Sequence, residues 1–146
     1  MADKKIGIID DETMVMKFYK PDIRKLDLNF KVKLISGVKD GIAWIRENKD
    51  DIFVLVVDTM LPPEGEFSME ETNKGILTGV RFVEKIRNEL EYSGLIYVLT
   101  NLKAEEAYRE YKNDECCRIL SKRKCSSKEF ARIVASYHKE QDSNDE

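Results

Sequence analysis

The chain has 146 residues, 42% of them hydrophobic and 36% charged, with a formal net charge of −3. Those values describe one domain able to bury roughly two-thirds of its unfolded surface, and they exclude a general attraction to nucleic acid or anionic lipid. The longest apolar run, 52–57, is far too short for membrane insertion, MADKKIGIID carries no signal-peptide core, and three cysteines without CxxC spacing read as free thiols of a cytoplasmic protein.

Five short runs rich in Ile, Val and Leu alternate with stretches of helical period. Run 5–9 predicts a strand, and Met14, Phe18, Ile23 and Leu26 mark a helix after it that Pro21 is expected to kink or split. A second strand is expected at 31–35, then a helix carrying Ile42, Ala43 and Ile45 with Trp44 beside them. The third strand, 52–57, runs into segment 59–77, which holds two of the three prolines and two of the seven glycines. It is too long for an ordinary βα turn and reads as a loop, with Phe67 and Met69 as candidate packing anchors. Val80, Phe82, Val83, Ile86 and Leu90 follow at i, i+3, i+4, i+7 spacing, an amphipathic helix. Strand 95–99 precedes a short helix marked by Ala104, Ala107, Tyr108 and Tyr111. The last pair is strand 117–120 and a helix bearing Phe130, Ile133, Val134 and Tyr137, with Ser126 or Ser127 as its N-cap and Glu129 nearby. The domain is expected over 1–140, with 141–146 an acidic frayed tail and no output domain attached.

Three of the runs (GIID, FVLVVD and IYVLT) are apolar at consecutive positions, the pattern of strands buried on both faces. Five βα repeats of that kind predict an α/β fold, a doubly wound sheet of five parallel strands. Ligands of such sheets bind beyond the carboxyl ends of the strands. The polar residues closing each run are therefore the candidates: Asp10, Asp11 and Glu12, then Asp58, then Thr100 and Asn101, then Ser121 and Lys122. Clustered carboxylates repel and raise one another's pKa unless a cation neutralises them, and hard oxygen ligands suit Mg²⁺. A carboxylate beside such an ion can attack phosphorus, with a lysine and a hydroxyl sharing the phosphoryl oxygens. Taken singly, each residue has an ordinary explanation as a helix cap, a turn or a solvated charge. Their joint placement at the ends of four strands is what points to a site.

The segments IGIIDDE, VLVVDTMLPP, TGVRFVEKIR, IYVLTN and RILSK resemble the receiver domain of two-component response regulators, from Lys5 to about Tyr137. The resemblance implies the flavodoxin-like receiver architecture and a signalling role, not that of an enzyme acting on a substrate. It implies that Asp58 accepts phosphate from a histidine kinase or phosphotransfer protein. Asp10, Asp11, Asp58 and the backbone carbonyl of Met60 would hold Mg²⁺, and Thr100 and Lys122 would contact the phosphoryl group. Asn101 would flank the site. The chain departs from the family where Arg123 replaces a customary proline, Ile119 an aromatic, and Asn101 a smaller residue. Segment 59–77 is also longer than in most receivers.

Other readings stay open at this stage. A receiver-like module that docks constitutively, without phosphorylation, is favoured by Arg123 and Ile119. A dehalogenase-type phosphohydrolase needs a second aspartate where Met60 stands, and a flavin binder needs a phosphate loop that is lacking after the first strand. His138, the single histidine, is expected at the surface, so the phosphodonor would be another molecule. The basic cluster Arg118, Lys122, Arg123, Lys124 and Lys128 reads as a solvated or protein-docking face, with no nucleic-acid partner expected.

Overall fold

The computed structural model describes residues 4–26, 28–100, 109, 111–122 and 124–144, the side chains of 13–16 and 144 excepted. Strands β1 (Lys5–Ile9), β2 (Lys31–Ile35), β3 (Ile52–Asp58), β4 (Leu95–Thr100) and β5 (Cys117–Ser121) form one sheet in the order β2-β1-β3-β4-β5. Every neighbouring pair is parallel. The described helices are α1 (Thr13–Arg24), α2 (Val38–Asn48), α3 (Thr78–Asn88) and, last in the chain, α4 (Ser127–Asn144). Among the described residues no helix is long and apolar enough to cross a membrane.

The strands are apolar at consecutive positions because each face of the sheet meets helices. On one face Ile6, Ile8, Val54, Val56, Tyr97 and Leu99 pack with Tyr19 and Ile23 of α1 and with Phe130 and Val134 of α4. On the other, Ile9, Leu55, Val57, Ile96 and Val98 pack with Val38, Ile42 and Ile45 of α2 and Val80, Phe82, Val83 and Ile86 of α3. Odd and even positions of one strand thus serve different cores, as the period of two requires. Close approach matters at Gly7, where a Cβ would lie 2.5 Å from the Trp44 ring that covers β1.

Three strands run one residue further than the apolar pattern indicates, taking Asp58, Thr100 and Ser121 into the ladder. Asp58 pairs in register with Leu99, and Thr100 with Ser121. The polar side chains therefore stand on regular backbone rather than on loops.

Several expectations are corrected. Pro21 does not split α1; it lies in the helix's closing turns, and the Lys25 N–H still reaches its carbonyl at 3.1 Å. Phe18 is 66% exposed, the buried stripe of α1 running instead through Tyr19 and Ile23 at i, i+4 spacing. Ala43 is exposed while Ile42 and Ile45 are buried. The tail expected to fray from 141 is helical to Asn144, since no Gly or Pro interrupts the segment. His138 is half-buried against Phe30 and Phe53, with ring centroids 5.5 and 5.8 Å away. Of the short helix expected after β4, Ala104, Ala107 and Tyr108 lie outside the described residues, and Tyr111 is buried in the α2–α3 core. The N-cap expectation holds at Ser126, whose hydroxyl accepts the Glu129 N–H at 3.1 Å. Ser127 Oγ instead donates to Asp22 of α1 at 2.5 Å.

Segment 59–77 is a loop of turns closed at its neck, where the Gly79 N–H donates to the Thr59 carbonyl at 2.8 Å. It carries its own hydrogen bonds, including a reciprocal Ser68–Glu71 pair and a buried Thr72. Gly65 and Gly75 take the positive φ values, +78° and +95°, that its reversals need. Phe67 packs on the α2–α3 core as expected, but Met69 is 56% exposed. Glu64 reaches across to the first turn of α2, where the Lys39 N–H faces its Oε1 at 3.4 Å and a Cβ at Gly37 would displace that carboxylate. A carboxylate there complements the positive end of the helix.

Candidate acidic site at the carboxyl rim of the sheet

The strand order reverses between β1 and β3, and both strands end in aspartates at that point. Neighbouring parallel strands lie about 4.8 Å apart, so carboxylates at their ends are brought together by the backbone alone. Asp10, Asp11 and Asp58 each place a carboxylate oxygen within 4.8 Å of the others. Asp10 and Asp58 are buried and Asp11 is exposed.

Local hydrogen bonds aim these groups. Asp10 Oδ1 accepts the Glu12 N–H at 2.9 Å, and Asp58 Oδ1 accepts the Met60 N–H at 3.1 Å. Both are bonds from a carboxylate to the backbone two residues on, which hold the side chain over the following turn. Behind them, α3 packs directly on the Asp58–Thr59 backbone. A Cβ at Gly79 would lie 2.6 Å from the Asp58 carbonyl oxygen and 2.6 Å from Thr59 Cα, so glycine is required for that approach.

From β5, Lys122 delivers its ammonium into the cluster. Nζ lies 3.0 Å from Asp58 Oδ2, 3.1 Å from Asp10 Oδ2 and 3.0 Å from Glu12 Oε1, with the lysine side chain only 7% exposed. The Lys122 N–H is held by the Thr100 carbonyl at 2.9 Å, which continues the β4–β5 ladder past Ser121. Lys124, two residues on, is exposed. Thr100 is buried at the end of β4, and Met60 is exposed where the loop leaves β3. Asn101 and Arg123 lie outside the described residues.

The electrostatics of the cluster follow from burial and crowding. Burial raises the pKa of Asp10 to about 6, with Asp58 adding to the rise and the Glu12 N–H and Lys122 opposing it. Asp11 is raised by the same two causes, burial first and then the Asp58 charge. Burial works against the Lys122 ammonium, but its hydrogen bonds to Asp58 and Glu12 outweigh that and raise its pKa. One ammonium against four carboxylates, three of them in contact with it, leaves an excess of negative charge at the rim. Oδ2 of Asp10 is sealed from solvent and accepts no well-directed hydrogen bond, although Nζ is 3.1 Å away. An incompletely satisfied buried oxygen beside two further carboxylates fits a small hard divalent cation, which takes oxygen ligands and keeps part of its water.

All of the aspartates, the threonine and the lysine singled out in the sequence thus lie at one rim. Two contributors were not assigned a role from sequence. In the sequence Glu12 is only part of an acidic run, and nothing in the chain signals that its partner is 110 residues away. Gly79 carries no signal either, because a glycine at a helix start is usually unremarked. The basic cluster dissolves in part: Lys122 is buried among acids, and the Arg118 guanidinium donates to the Glu115 carbonyl at 2.7 Å.

No protein-family model and no curated protein matches the sequence. Solved structures do match. A CheY-like response regulator receiver domain protein from Methanospirillum hungatei superposes with a TM-score of 0.68 at 17% identity, over 97% of this chain and 98% of that one. The receiver domain of the Francisella response regulator 1452 gives 0.70 at 18% identity, over 95% and 99%. The Vibrio cholerae chemotaxis protein CheY4 gives 0.69 at 18% identity, over 92% and 98%. At such identities the likeness is one of fold, and it extends over nearly the whole of both chains. The chain therefore has the receiver fold of response regulators, with a buried acidic cluster at the carboxyl rim of its sheet.

Proposed function

We propose that this chain is a phosphoacceptor in two-component signal transduction, phosphorylated on Asp58 with Mg²⁺ held by Asp10, Asp11, Asp58 and the Met60 carbonyl. The observation that carries the reading is the convergence of three aspartate carboxylates within 4.8 Å, on the fold of the receiver structures this chain matches, with a buried lysine aimed among them. The donor is a phosphohistidine of a kinase or phosphotransfer protein. An oxygen of Asp58 attacks phosphorus, the P–N bond breaks, and its electron pair leaves with the imidazole nitrogen. Asp58 is held for this by the Met60 N–H on Oδ1, which leaves Oδ2 facing Lys122. The metal supplies neutralisation of the negative charge shared by carboxylates and phosphoryl oxygens. Lys122 and the Thr100 hydroxyl bind the remaining oxygens, a point charge and a neutral donor from adjacent strands. Water then removes the phosphoryl group and resets the domain. The output is a shift between two surface states read by a protein partner in the cytoplasm.

A second reading, constitutive docking without phosphorylation, is favoured by one feature. At position 119, where the family customarily has an aromatic, an isoleucine is packed against the α2–α3 core. Intact mass after incubation with a small phosphodonor and Mg²⁺ separates the two. One phosphoryl group, dependent on metal and lost in Asp58→Asn, is expected. No adduct and no beryllofluoride complex, despite bound Mg²⁺, would leave the docking module as the better account.

A further inference from the structure

The Lys122 ammonium has three donors, and three carboxylates face it: Asp10, Asp58 and Glu12. Asp10 and Asp58 belong to the acidic cluster, whereas Glu12 lies outside it. Glu12 occupies the N-cap position of α1, yet its side chain makes no capping bond. Its own N–H is tied to Asp10 Oδ1 at 2.9 Å, so its backbone is pinned to the cluster while its carboxylate is 52% exposed at the mouth.

We propose that Glu12 is the positioning residue of Lys122, the seat onto which the ammonium moves when a divalent cation occupies the acidic cluster. The inference rests on the metal site assigned under Proposed function. The physical case is one of competition. Lys122 already stands as a cation on the buried oxygens of Asp10 and Asp58, and two cations cannot share those oxygens at contact distance without strong repulsion. Of its three partners only Glu12 neither belongs to the cluster nor carries the phosphoryl group. A lysine head on a flexible four-carbon stem can pivot toward it while its Cα stays in place. Glu12 touches Lys122 in the metal-free state, but in the metal-bound state it is the chief partner. Its removal therefore weakens the metal-bound arrangement more, and metal affinity falls. Once Asp58 is phosphorylated, the same seat keeps the ammonium at the mouth, next to the incoming oxygens.

The test is calorimetric titration of MgCl₂ into the metal-free chain, with a double-mutant cycle. Glu12→Gln is expected to weaken Mg²⁺ binding about tenfold, a coupling typical of contacting charges. Glu12→Asp keeps the charge but shortens the reach, and about fivefold weakening is expected from it. In a Lys122→Met background, Glu12→Gln should cost about threefold or less, the residue of a screened surface charge. Wild-type affinity in Glu12→Asp, or an equal effect of Glu12→Gln in both backgrounds, would show that Glu12 acts only through its charge and would overturn the inference alone. Absence of Mg²⁺ binding by the wild-type chain would overturn the metal site and the inference together. Glu12 is half-exposed, so both of its variants are expected to fold, and the Glu12→Asp comparison decides the matter even if Lys122→Met does not fold.

Discussion

Asp10 offers the sharpest test of the site's energetics, because its carboxylate is fully buried and its pKa stands at about 6 against an ordinary 3.8. A carboxyl whose folded pKa is raised makes the fold prefer the protonated form. The associated penalty is absent below the unfolded value, grows as pH rises between the two, and is complete above the folded value. A shift of that size corresponds to on the order of 2–3 kcal/mol of lost stability at neutral pH. The metal-free protein should therefore gain stability on acidification from about pH 7 toward about pH 4, as far as this group decides it. Asp10→Asn removes the penalty and should raise the metal-free melting temperature at neutral pH by roughly 4–12 °C for a chain of this length. The gain should vanish near about pH 4, where the wild-type carboxyl is itself neutral. Chemical or thermal denaturation in the presence of a chelator, at several pH values, measures both curves. Added Mg²⁺ should stabilise the wild-type chain and leave the variant unaffected. A metal-free Asn variant less stable than wild type at neutral pH would refute the reasoning, since it would mean that the Lys122 pairing outweighs the burial of the charge.

Two further outcomes follow from contacts at opposite rims of the sheet. Gly79→Ala places a methyl against the Asp58 carbonyl and Thr59 Cα, backbone atoms that yield only if β3 or α3 moves. It should cost about 2 kcal/mol or more in denaturant unfolding and reduce phosphorylation of Asp58; a stable, fully phosphorylated variant would show that α3 is free to retreat. Arg87, at the far rim, forks onto both oxygens of Asp114 and donates to the carbonyls of Tyr92, Gly94 and Cys116, joining α3 to the starts of β4 and β5. Arg87→Ala should destabilise by about 2–4 kcal/mol while leaving Mg²⁺ affinity unchanged, and Arg87→Lys should recover little because an ammonium cannot rebuild the fork. A loss under about 1 kcal/mol would show that solvent replaces these bonds freely.

What the sequence determined by itself is local. Consecutive apolar positions in 52–57 and 95–99, each bounded by polar or turn residues, fit strands covered on both faces, and the i, i+3, i+6 spacing of Val80, Val83 and Ile86 fits a helix with one buried face. Those periods, with βα alternation, also fix which ends of the strands carry Asp10, Asp58, Thr100 and Lys122. Where the local signal was weaker, prediction slipped. Phe18 has the apolarity of a core residue but stands off the Tyr19–Ile23 stripe, and the acidic tail looked frayed although nothing in it breaks a helix. Position 138 looked like surface because its aromatic partners, Phe30 and Phe53, come from elsewhere in the chain.

Tertiary structure decided the rest. Only the strand order sets β1 beside β3 and so turns two separate aspartates into one cluster with an incompletely satisfied Asp10 oxygen. Only packing brings Lys122 to Glu12, Glu64 to the start of α2, and Gly79 onto the Asp58 backbone. The division has a physical cause. Periodicity records what each residue faces on its own element. Pairings between charges more than a hundred residues apart depend on loop closure and sheet order, which leave no pattern in the local sequence.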